Sequence, residues 1–169
     1  MFTSDDVSQL CQLLAAENIP VWLAGGWGID ALLGEQTRPH KDLDILVLVA
    51  DVIHLQDILA EHGYRFKDVW TENLPARDAQ GRAVPTAFIL CASDGREVDV
   101  HALRLVEQGM GIPAWQEERS LDLTGTGRIA GHTVHCLSVR AQVQSHTGYE
   151  LPEAHRRDMD RLNRHTGAV

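Results

Sequence analysis

The sequence predicts a mixed α/β protein in which helices flank a sheet of parallel and antiparallel strands. Three observations predict it: helical spacing of apolar residues near both ends, short apolar runs of strand length between them, and a late hairpin. The predicted order is helix, strand, helix, strand, helix, strand, strand, strand, which is not a strict βαβ series. At 169 residues and 44% hydrophobic, the chain fits one domain, with or without a short helical appendage.

The first three elements are predicted from local signals near the start of the chain. Ser4 is interpreted as an N-cap, because acidic residues and then apolar residues at helical spacing follow it. Residues 20 to 24 form a short apolar run that predicts a buried strand. Residues 27 to 33 then predict a helix that stops at Gly34.

The next three elements repeat this strand and helix pattern. Residues 42 to 49 alternate and then become continuously apolar, which is typical of a central strand. Asp51 caps a second amphipathic helix, and Gly63 stops it. Residues 64 to 70 predict the following strand.

The rest of the chain predicts a hairpin, a second strand pair and two closing helices. The hairpin joins residues 86 to 91 with residues 96 to 103. Residues 106 to 123 carry little signal, and residues 127 to 136 predict two short strands around a glycine. The closing helices are predicted over 138 to 147 and 152 to 165, the second with proline in its first turn.

Charge and composition restrict the classes of partner. The net charge of −9 arises from 24 acidic and 15 basic residues, which disfavours binding to nucleic acid or to an anionic membrane. The longest apolar run, residues 45 to 50, is far shorter than the roughly 20 residues that span a bilayer. Three scattered cysteines and no recognisable secretory signal lead us to expect a protein of the reducing cytoplasm.

The most informative motif is Asp42-Leu43-Asp44-Ile45. Side chains two apart share a face of a strand, so Asp42 and Asp44 project together. Adjacent carboxylates repel, and a cation between them removes the repulsion; magnesium takes oxygen ligands and keeps positions open for phosphate. The alternative is a solvent-facing acidic strand at a sheet edge.

Gly25 and Gly26 form a second element, between a predicted strand and a predicted helix. A glycine turn there lets backbone N–H groups approach phosphate at the start of the helix, although Gly-Gly is often only a turn. Combined with the acidic pair, the turn predicts a nucleotide site.

A third carboxylate lies in the later strand. Glu97, Asp99 and His101 share one face of that strand. Asp99 could complete the metal site or accept the proton of an attacking hydroxyl, and the sequence does not separate these roles. The alternative is the polar face of an exposed strand.

Two longer stretches carry a family resemblance. Residues 22 to 30, Trp-Leu-Ala-Gly-Gly-Trp-Gly-Ile-Asp, and residues 37 to 45, Thr-Arg-Pro-His-Lys-Asp-Leu-Asp-Ile, resemble the small antibiotic-modifying branch of the polymerase-β-like nucleotidyltransferases. That branch includes the lincosamide nucleotidyltransferases and the aminoglycoside 2''-nucleotidyltransferases. Residues 98 to 101, 136 to 138 and 146 to 151 resemble the short lincosamide enzymes.

The resemblance implies a polymerase-β-like fold and a role for each acidic and glycine position. Asp42 and Asp44 would hold two magnesium ions that bridge the triphosphate, and Gly25 and Gly26 would cradle phosphate. Asp99 would be a third metal ligand or the general base. ATP is the expected nucleotide.

The resemblance also implies contacts from basic residues. Arg38 and His40 would lie near the triphosphate, where a cation offsets the charge of departing pyrophosphate. Arg140, on a later helix, would contact phosphate. The alternative for Arg38 and His40 is a solvated loop.

Three further residues have less specific expected roles. Asp30 could position the Arg38 loop by a salt bridge or be an exposed helix residue. Tyr149 and Asp158 could border the acceptor pocket, and their alternatives are a core tyrosine and a surface ion pair.

The function that the resemblance implies is transfer of AMP from ATP to a hydroxyl of an antibiotic, most of all a lincosamide. The same chemistry on an aminoglycoside or a protein hydroxyl, and a silent nucleotide- or drug-binding module, are the alternatives. Residues 1–105 would form the nucleotidyltransferase core, and residues 106–169 would complete the acceptor site. A homodimer is a further expectation.

His132 and His135 have a spacing that zinc sites use, but no second pair of ligands is evident in the sequence. Among nine histidines such a doublet arises easily by chance. We therefore expect no zinc site there.

Overall fold

Helices and strands alternate in the first half of the chain, and strands predominate in the second. The computed structural model describes residues 1–70, 73–107, 109–114, 120–147 and 150–167. The helices are α1 (Ser4–Ala16), α2 (Gly25–Leu33), α3 (Val52–Glu61), α4 (Val139–Ser145) and α5 (Glu153–Thr166). The strands are β1 (Val21–Leu23), β2 (Leu43–Leu48), β3 (Tyr64–Val69), β4 (Ala76–Arg77), β5 (Ala83–Val84), β6 (Ala87–Ala92), β7 (Glu97–Glu107), β8 (Met110–Pro113), β9 (Leu121–Asp122), β10 (Gly125–Ile129) and β11 (His132–Cys136).

The helix ends follow the capping signals, with two corrections. The N-cap of α1 is Thr3 and not Ser4, because Thr3 and Asp6 form a reciprocal capping box. Asp51 precedes α3 as expected, but its side chain makes no capping hydrogen bond, since a short 3-10 turn leads into the helix. Gly34 ends α2 in the left-handed conformation, with φ of +76°, which confirms the predicted stop.

The strands form the predicted mixed sheet, in the order β10-β11-β1-β2-β7-β6-β3. Two neighbouring pairs, β1 with β11 and β2 with β7, are parallel, and the other pairs along this path are antiparallel. β8 continues from β7, and β9 pairs with β8. The sheet thus brings the two strands that carry the acidic motifs side by side at its centre.

The two faces of the central strands have different neighbours. Leu43, Ile45 and Val47 of β2 enter the main core, together with buried residues of α1 and α3. Leu46, on the other face, packs in a second cluster with Leu103 and with residues near β9 and α4. Asp44 shares the face of Leu46, so the acidic motif lies on the side of the sheet away from the main core.

Four short strands were not predicted. β4 and β5 lie in the stretch between the predicted strands at 64 to 70 and 86 to 91, and β8 and β9 lie in the region of weak signal. Strands of two to four residues are too short to show a period of two. β8 and β9 join the sheet through β7, and β10 and β11 join it through the pairing of β11 with β1 at Leu23 and Cys136.

Across the part of the chain that the structure describes, no helix combines the length and apolar character needed to cross a bilayer.

Candidate active site

The centre of the site is a pair of carboxylates on adjacent parallel strands. Asp44 of β2 lies in register with Asp99 of β7. His101 follows on the same face of β7, and its Nε2 lies 3.4 Å from Asp99 Oδ1. One ligand atom from each of Asp44, Asp99 and His101 falls within 4.8 Å of the others. The strand pairing therefore places two carboxylates and an imidazole around one point.

Asp42 lies just before β2 and is close enough for its charge to raise the pKa of both Asp44 and Asp99. It is outside the compact group that Asp44, Asp99 and His101 form. The structure thus brings together two of the three predicted metal ligands and sets the third beside them. A ligand role for Asp42 stays a prediction.

The environment of these carboxylates penalises their negative charge. Burial, and then the charge of Asp42, raises the pKa of Asp44 to about 6. Burial also raises the pKa of Asp99 to about 6, with further contributions from the charges of Asp42 and Glu97. Burial lowers the pKa of His101, which disfavours an imidazolium that could neutralise its neighbours. This cluster therefore has a shortage of positive charge.

The start of α2 lies directly against the acidic pair. Gly25 has a φ of +53°, and a Cβ added there would stand 2.1 Å from Asp44 Oδ2. A Cβ on Gly26 would stand 2.2 Å from Nδ1 of His40. A larger residue at either position would collide with the side chain of Asp44 or of His40, so both positions favour glycine. The first-turn N–H groups of a helix lack partners within the helix, and here they lie beside Asp44, as a phosphate cradle requires.

Asp30 organises the loop that leads to the acidic motif. Its Oδ1 accepts hydrogen bonds from the backbone N and the hydroxyl of Thr37, at 3.2 and 2.7 Å. Its Oδ2 lies 2.5 Å from Nε2 of His40, which is 3% exposed and packs against the ring of Trp27. Asp30 positions the Arg38 loop as expected, through Thr37 and through its ion pair with His40, and because it is buried the alternative of an exposed helix residue was wrong.

Arg38 pairs with the C-terminal helix. Its Nε and Nη2 donate to the carboxylate of Asp158 in α5, the latter at 2.7 Å, and its Nη1 donates to the carbonyl of Pro39. The side chain of Asp158 is only 2% exposed, so the ion pair of Arg38 with Asp158 is not the surface ion pair that was the alternative. Arg161 of α5 also donates to the carbonyl of Thr37. The contact of Arg38 with triphosphate stays a prediction, and its observed role is to join α5 to the loop.

The remaining predicted contacts lie further along the chain. Arg140 is exposed on α4, and its charge helps to lower the pKa of Asp122. Its phosphate contact stays a prediction. Tyr149 lies outside the residues that the structure describes.

Sequence reasoning placed His101 on the face of Asp99 but did not propose it as a ligand. The alternation of Glu97, Asp99 and His101 was the available signal. The donor set fits a divalent cation, because carboxylate oxygens and an imidazole nitrogen are accepted ligands of such ions. In addition, Asp99 Oδ1 is buried and receives no hydrogen bond from the described part of the chain.

A carboxylate pair on a mixed sheet, facing the glycine-rich start of a helix, defines the class of protein as a nucleotidyltransferase fold. Solved structures agree. The lincosamide antibiotic adenylyltransferase LnuA, solved with lincomycin bound, superimposes with a TM-score of 0.76 at 24% identity, over 95% of this chain and 96% of that chain. The structure of ANT(2'')-Ia in complex with adenylyl-2''-tobramycin gives a TM-score of 0.73 at 21% identity, over 98% and 90%.

The chain belongs to the aminoglycoside-2''-adenylyltransferase family, whose model matches residues 6–162. A lincosamide resistance protein of Staphylococcus haemolyticus is 26% identical over 167 residues, which cover 95% of this chain and 94% of that protein. A 2''-aminoglycoside nucleotidyltransferase of Klebsiella pneumoniae is 50% identical, but over only 42 residues, 23% of this chain and 24% of that protein. These relatives support nucleotidyl transfer as the class of activity and imply a nucleotide co-substrate and a divalent metal.

Proposed function

We propose that this protein transfers AMP from ATP to a hydroxyl of a small-molecule antibiotic, with release of pyrophosphate and dependence on Mg²⁺. The observation that carries the proposal is the register of Asp44 opposite Asp99, with Gly25 in contact range of Asp44. Modification of the drug would confer resistance. We expect the reaction to take place in the cytoplasm, where ATP is available.

The metal would be held by Asp44 and Asp99, with Asp42 beside them. Bound there, Mg²⁺ would neutralise the triphosphate and favour displacement at the α-phosphorus, and two ions are the expected number. His101 adds a nitrogen donor to the oxygen set. The raised pKa of Asp44 and Asp99 supports this assignment, because a dication at this point would stabilise the ionised form that burial, and then the neighbouring carboxylates, disfavour.

The residues of the chain would then orient the two substrates. The acceptor oxygen forms a bond to the α-phosphorus, the bond from that phosphorus to the bridging oxygen of pyrophosphate breaks, and the hydroxyl proton passes to a carboxylate. The first turn of α2 at Gly25 and Gly26 would hold phosphate oxygens by backbone N–H groups. His40, fixed by Asp30, lies against the same turn.

Asp99 has two candidate roles, as the proton acceptor or as a metal ligand. Substituting it with Asn separates them. If Asp99 is the base, Asp99→Asn abolishes turnover but leaves metal uptake close to that of the wild type. If Asp99 is a ligand, both are lost, as in Asp44→Asn.

A lincosamide is our first choice of acceptor, because the lincosamide resistance protein matches this chain over nearly its whole length. An aminoglycoside is the second, favoured by the family match and by the 42-residue identity. A protein hydroxyl stays an alternative acceptor, and a silent nucleotide- or drug-binding module stays an alternative without turnover.

Residues 106–169 would complete the acceptor site next to a core of residues 1–105. A homodimer remains a prediction, which sedimentation would test.

The test is pyrophosphate release from ATP and Mg²⁺ with lincomycin, clindamycin and a set of aminoglycosides, followed by mass analysis of the drug. We expect one drug class to gain a nucleotidyl group, and GTP to be a poorer donor. The reaction should stop with EDTA and in Asp44→Asn. Absence of any drug product, with ATP still bound, would overturn the antibiotic acceptor; absence of nucleotide binding would overturn the enzyme assignment.

A further inference from the structure

Trp70 stands at the end of β3, in line with the acidic site. Its backbone N–H donates to the carbonyl of Ala87 at 3.1 Å, which continues the β3–β6 pairing by one residue. Ala87 in turn lies in register with His101 across the β6–β7 pairing. Trp70, Ala87 and His101 therefore form one row across three strands.

Residues opposite each other in neighbouring strands project from the same face of a sheet. Trp70 thus projects from the face that carries Asp44, Asp99 and His101. Ala87 stands between them with only a methyl group, so no large side chain on β6 separates the indole from β7. Consistent with this placement, a hydrogen bond from the Trp70 side chain opposes the effect of burial on the pKa of Asp99.

The indole is also open to solvent. Trp70 is 43% exposed, although a tryptophan without a ligand would normally be buried more completely. Phe66, the other exposed aromatic residue of β3 in the described part of the chain, lies on the opposite face and stacks on the buried ring of Phe88 at 5.7 Å. Phe66 therefore covers the core, whereas Trp70 presents its ring beside the acidic site.

We propose that Trp70 recognises the acceptor by stacking on an amine-bearing ring whose neighbouring hydroxyl faces Asp99. The negative charge near the indole selects a cationic acceptor, because the Trp70 side chain contacts Asp99 and because Asp42 and Asp44 lie beside Asp99. A protonated amine over an indole face gains a cation–π attraction, and the apolar side of a saturated ring gains contact area. This inference rests on the proposed function, and it names the chemical class of the acceptor and the residue that selects it.

The test compares Trp70→Ala, Trp70→Phe and the control Phe66→Ala, which removes an exposed ring from the opposite face of the same strand. Steady-state kinetics are measured with lincomycin and with tobramycin, with KM determined separately for drug and for ATP. We expect Trp70→Ala to raise the drug KM about tenfold and to leave the ATP KM within about twofold. Trp70→Phe keeps an aromatic face and should stay within about threefold of the wild type, and Phe66→Ala should leave both KM values unchanged.

Drug binding without turnover gives a second measurement. The wild-type protein in EDTA should show a change of tryptophan fluorescence when the accepted drug is added, and Trp70→Phe should lose it while still binding the drug in calorimetry. An unchanged drug KM in a folded, active Trp70→Ala protein would overturn the inference and leave the proposed function intact. A wild-type protein that modifies neither drug nor any other amine-bearing acceptor would instead overturn the proposed function, and this inference with it.

Discussion

This molecule holds two sets of carboxylates with limited access to solvent, the buried Asp30 and Asp158 and the partly buried Asp44 and Asp99, and the sets differ in their partners. Asp30 and Asp158 each have a cationic or polar partner for both oxygens: Asp30 contacts Thr37 and His40, and Asp158 is held by the guanidinium of Arg38. Asp44 and Asp99 face each other instead, and burial raises the pKa of both to about 6. The first set is electrostatically satisfied, and the second is not.

This difference in partners distinguishes carboxylates that stabilise the fold from carboxylates that we expect to bind a ligand. A buried carboxylate with a partner fixes the loop before β2, so its removal should cost stability. A partly buried carboxylate that faces another destabilises the metal-free protein, and a bound ligand would account for its presence. The substitutions of Asp44 and of Asp158 below each change one set and leave the other in place.

The largest effect on activity is expected for Asp44→Asn. Loss of a carboxylate from the metal site should lower turnover roughly 10³-fold. The same change should raise the free energy of unfolding of the metal-free protein by about 1 to 3 kcal/mol, because it removes a negative charge that burial and the neighbouring carboxylates disfavour. Activity assays and urea denaturation in EDTA measure the two effects.

Glu97→Gln is the matched control for this substitution. Glu97 lies on β7, two residues before Asp99, but it pairs with Lys67 at 2.6 Å and is outside the group that Asp44, Asp99 and His101 form. We expect it to retain most of the activity. Full turnover in both Asp42→Asn and Asp44→Asn would refute the metal assignment.

Asp158→Asn should have the opposite effect on stability. It leaves the guanidinium of Arg38 without its carboxylate partner, which should lower the free energy of unfolding by about 2 to 4 kcal/mol. Glu153→Gln, which breaks the exposed pair with Arg157 on the same helix, should cost about 0.5 kcal/mol or less. Equal losses in the two variants, measured by urea denaturation, would show that Arg38 and Asp158 do not hold the loop.

The stability of the metal-free protein should depend on pH through Asp44. Its pKa is about 6 in the folded protein and near 4 when unfolded, so the folded state binds more protons between these values. Its contribution to stability is therefore greatest at acid pH and falls as the pH rises from about 4 to about 6. The stability difference between Asp44→Asn and the wild type should grow over this window and then level off, and a constant difference in EDTA would contradict the raised pKa.

The sequence predicted the sheet class and the acidic face, because alternation on β2 and β7 is a local property of each strand. The phosphate contact predicted for Gly25 and Gly26 stays a prediction, and the structure shows instead that the two glycines approach Asp44 and His40. It did not predict which strand lies next to β2, although its argument assumed that the later acidic strand does. The parallel register that places Asp44 opposite Asp99 depends on tertiary structure, which the pattern within one strand does not determine.

The pairing of Arg38 with Asp158 shows the limit of sequence reasoning. The two residues are 120 positions apart, and nothing local to Arg38 distinguishes a phosphate ligand from an ion-pair partner. The same holds for Trp70, whose place on the acidic face depends on three strands coming into register. Short strands such as β4 and β8 were missed because two to four residues show no period.

The smallest effect is expected on β11, which carries His132 and His135 and lies next to β10, the strand at the end of the sheet. His132 Nδ1 already contacts the hydroxyl of Ser8 at 3.1 Å, next to a cavity of about 480 Å³ between α1 and β11. No metal-ligand group of the described residues includes either histidine. Replacing both with Ala should leave turnover within about twofold of the wild type, and the purified wild-type protein should contain no stoichiometric zinc by elemental analysis.

The most direct test of the contrast between the two sets of carboxylates is titration with Mn²⁺, followed by electron paramagnetic resonance, in the presence of a non-hydrolysable ATP analogue. Mn²⁺ accepts the same oxygen ligands as Mg²⁺ and reports its own binding. We predict that the wild-type protein takes up Mn²⁺ and that Asp44→Asn loses this uptake, whereas Asp158→Asn, measured below its unfolding transition, retains it. Equal uptake by the wild type and Asp44→Asn would contradict the account.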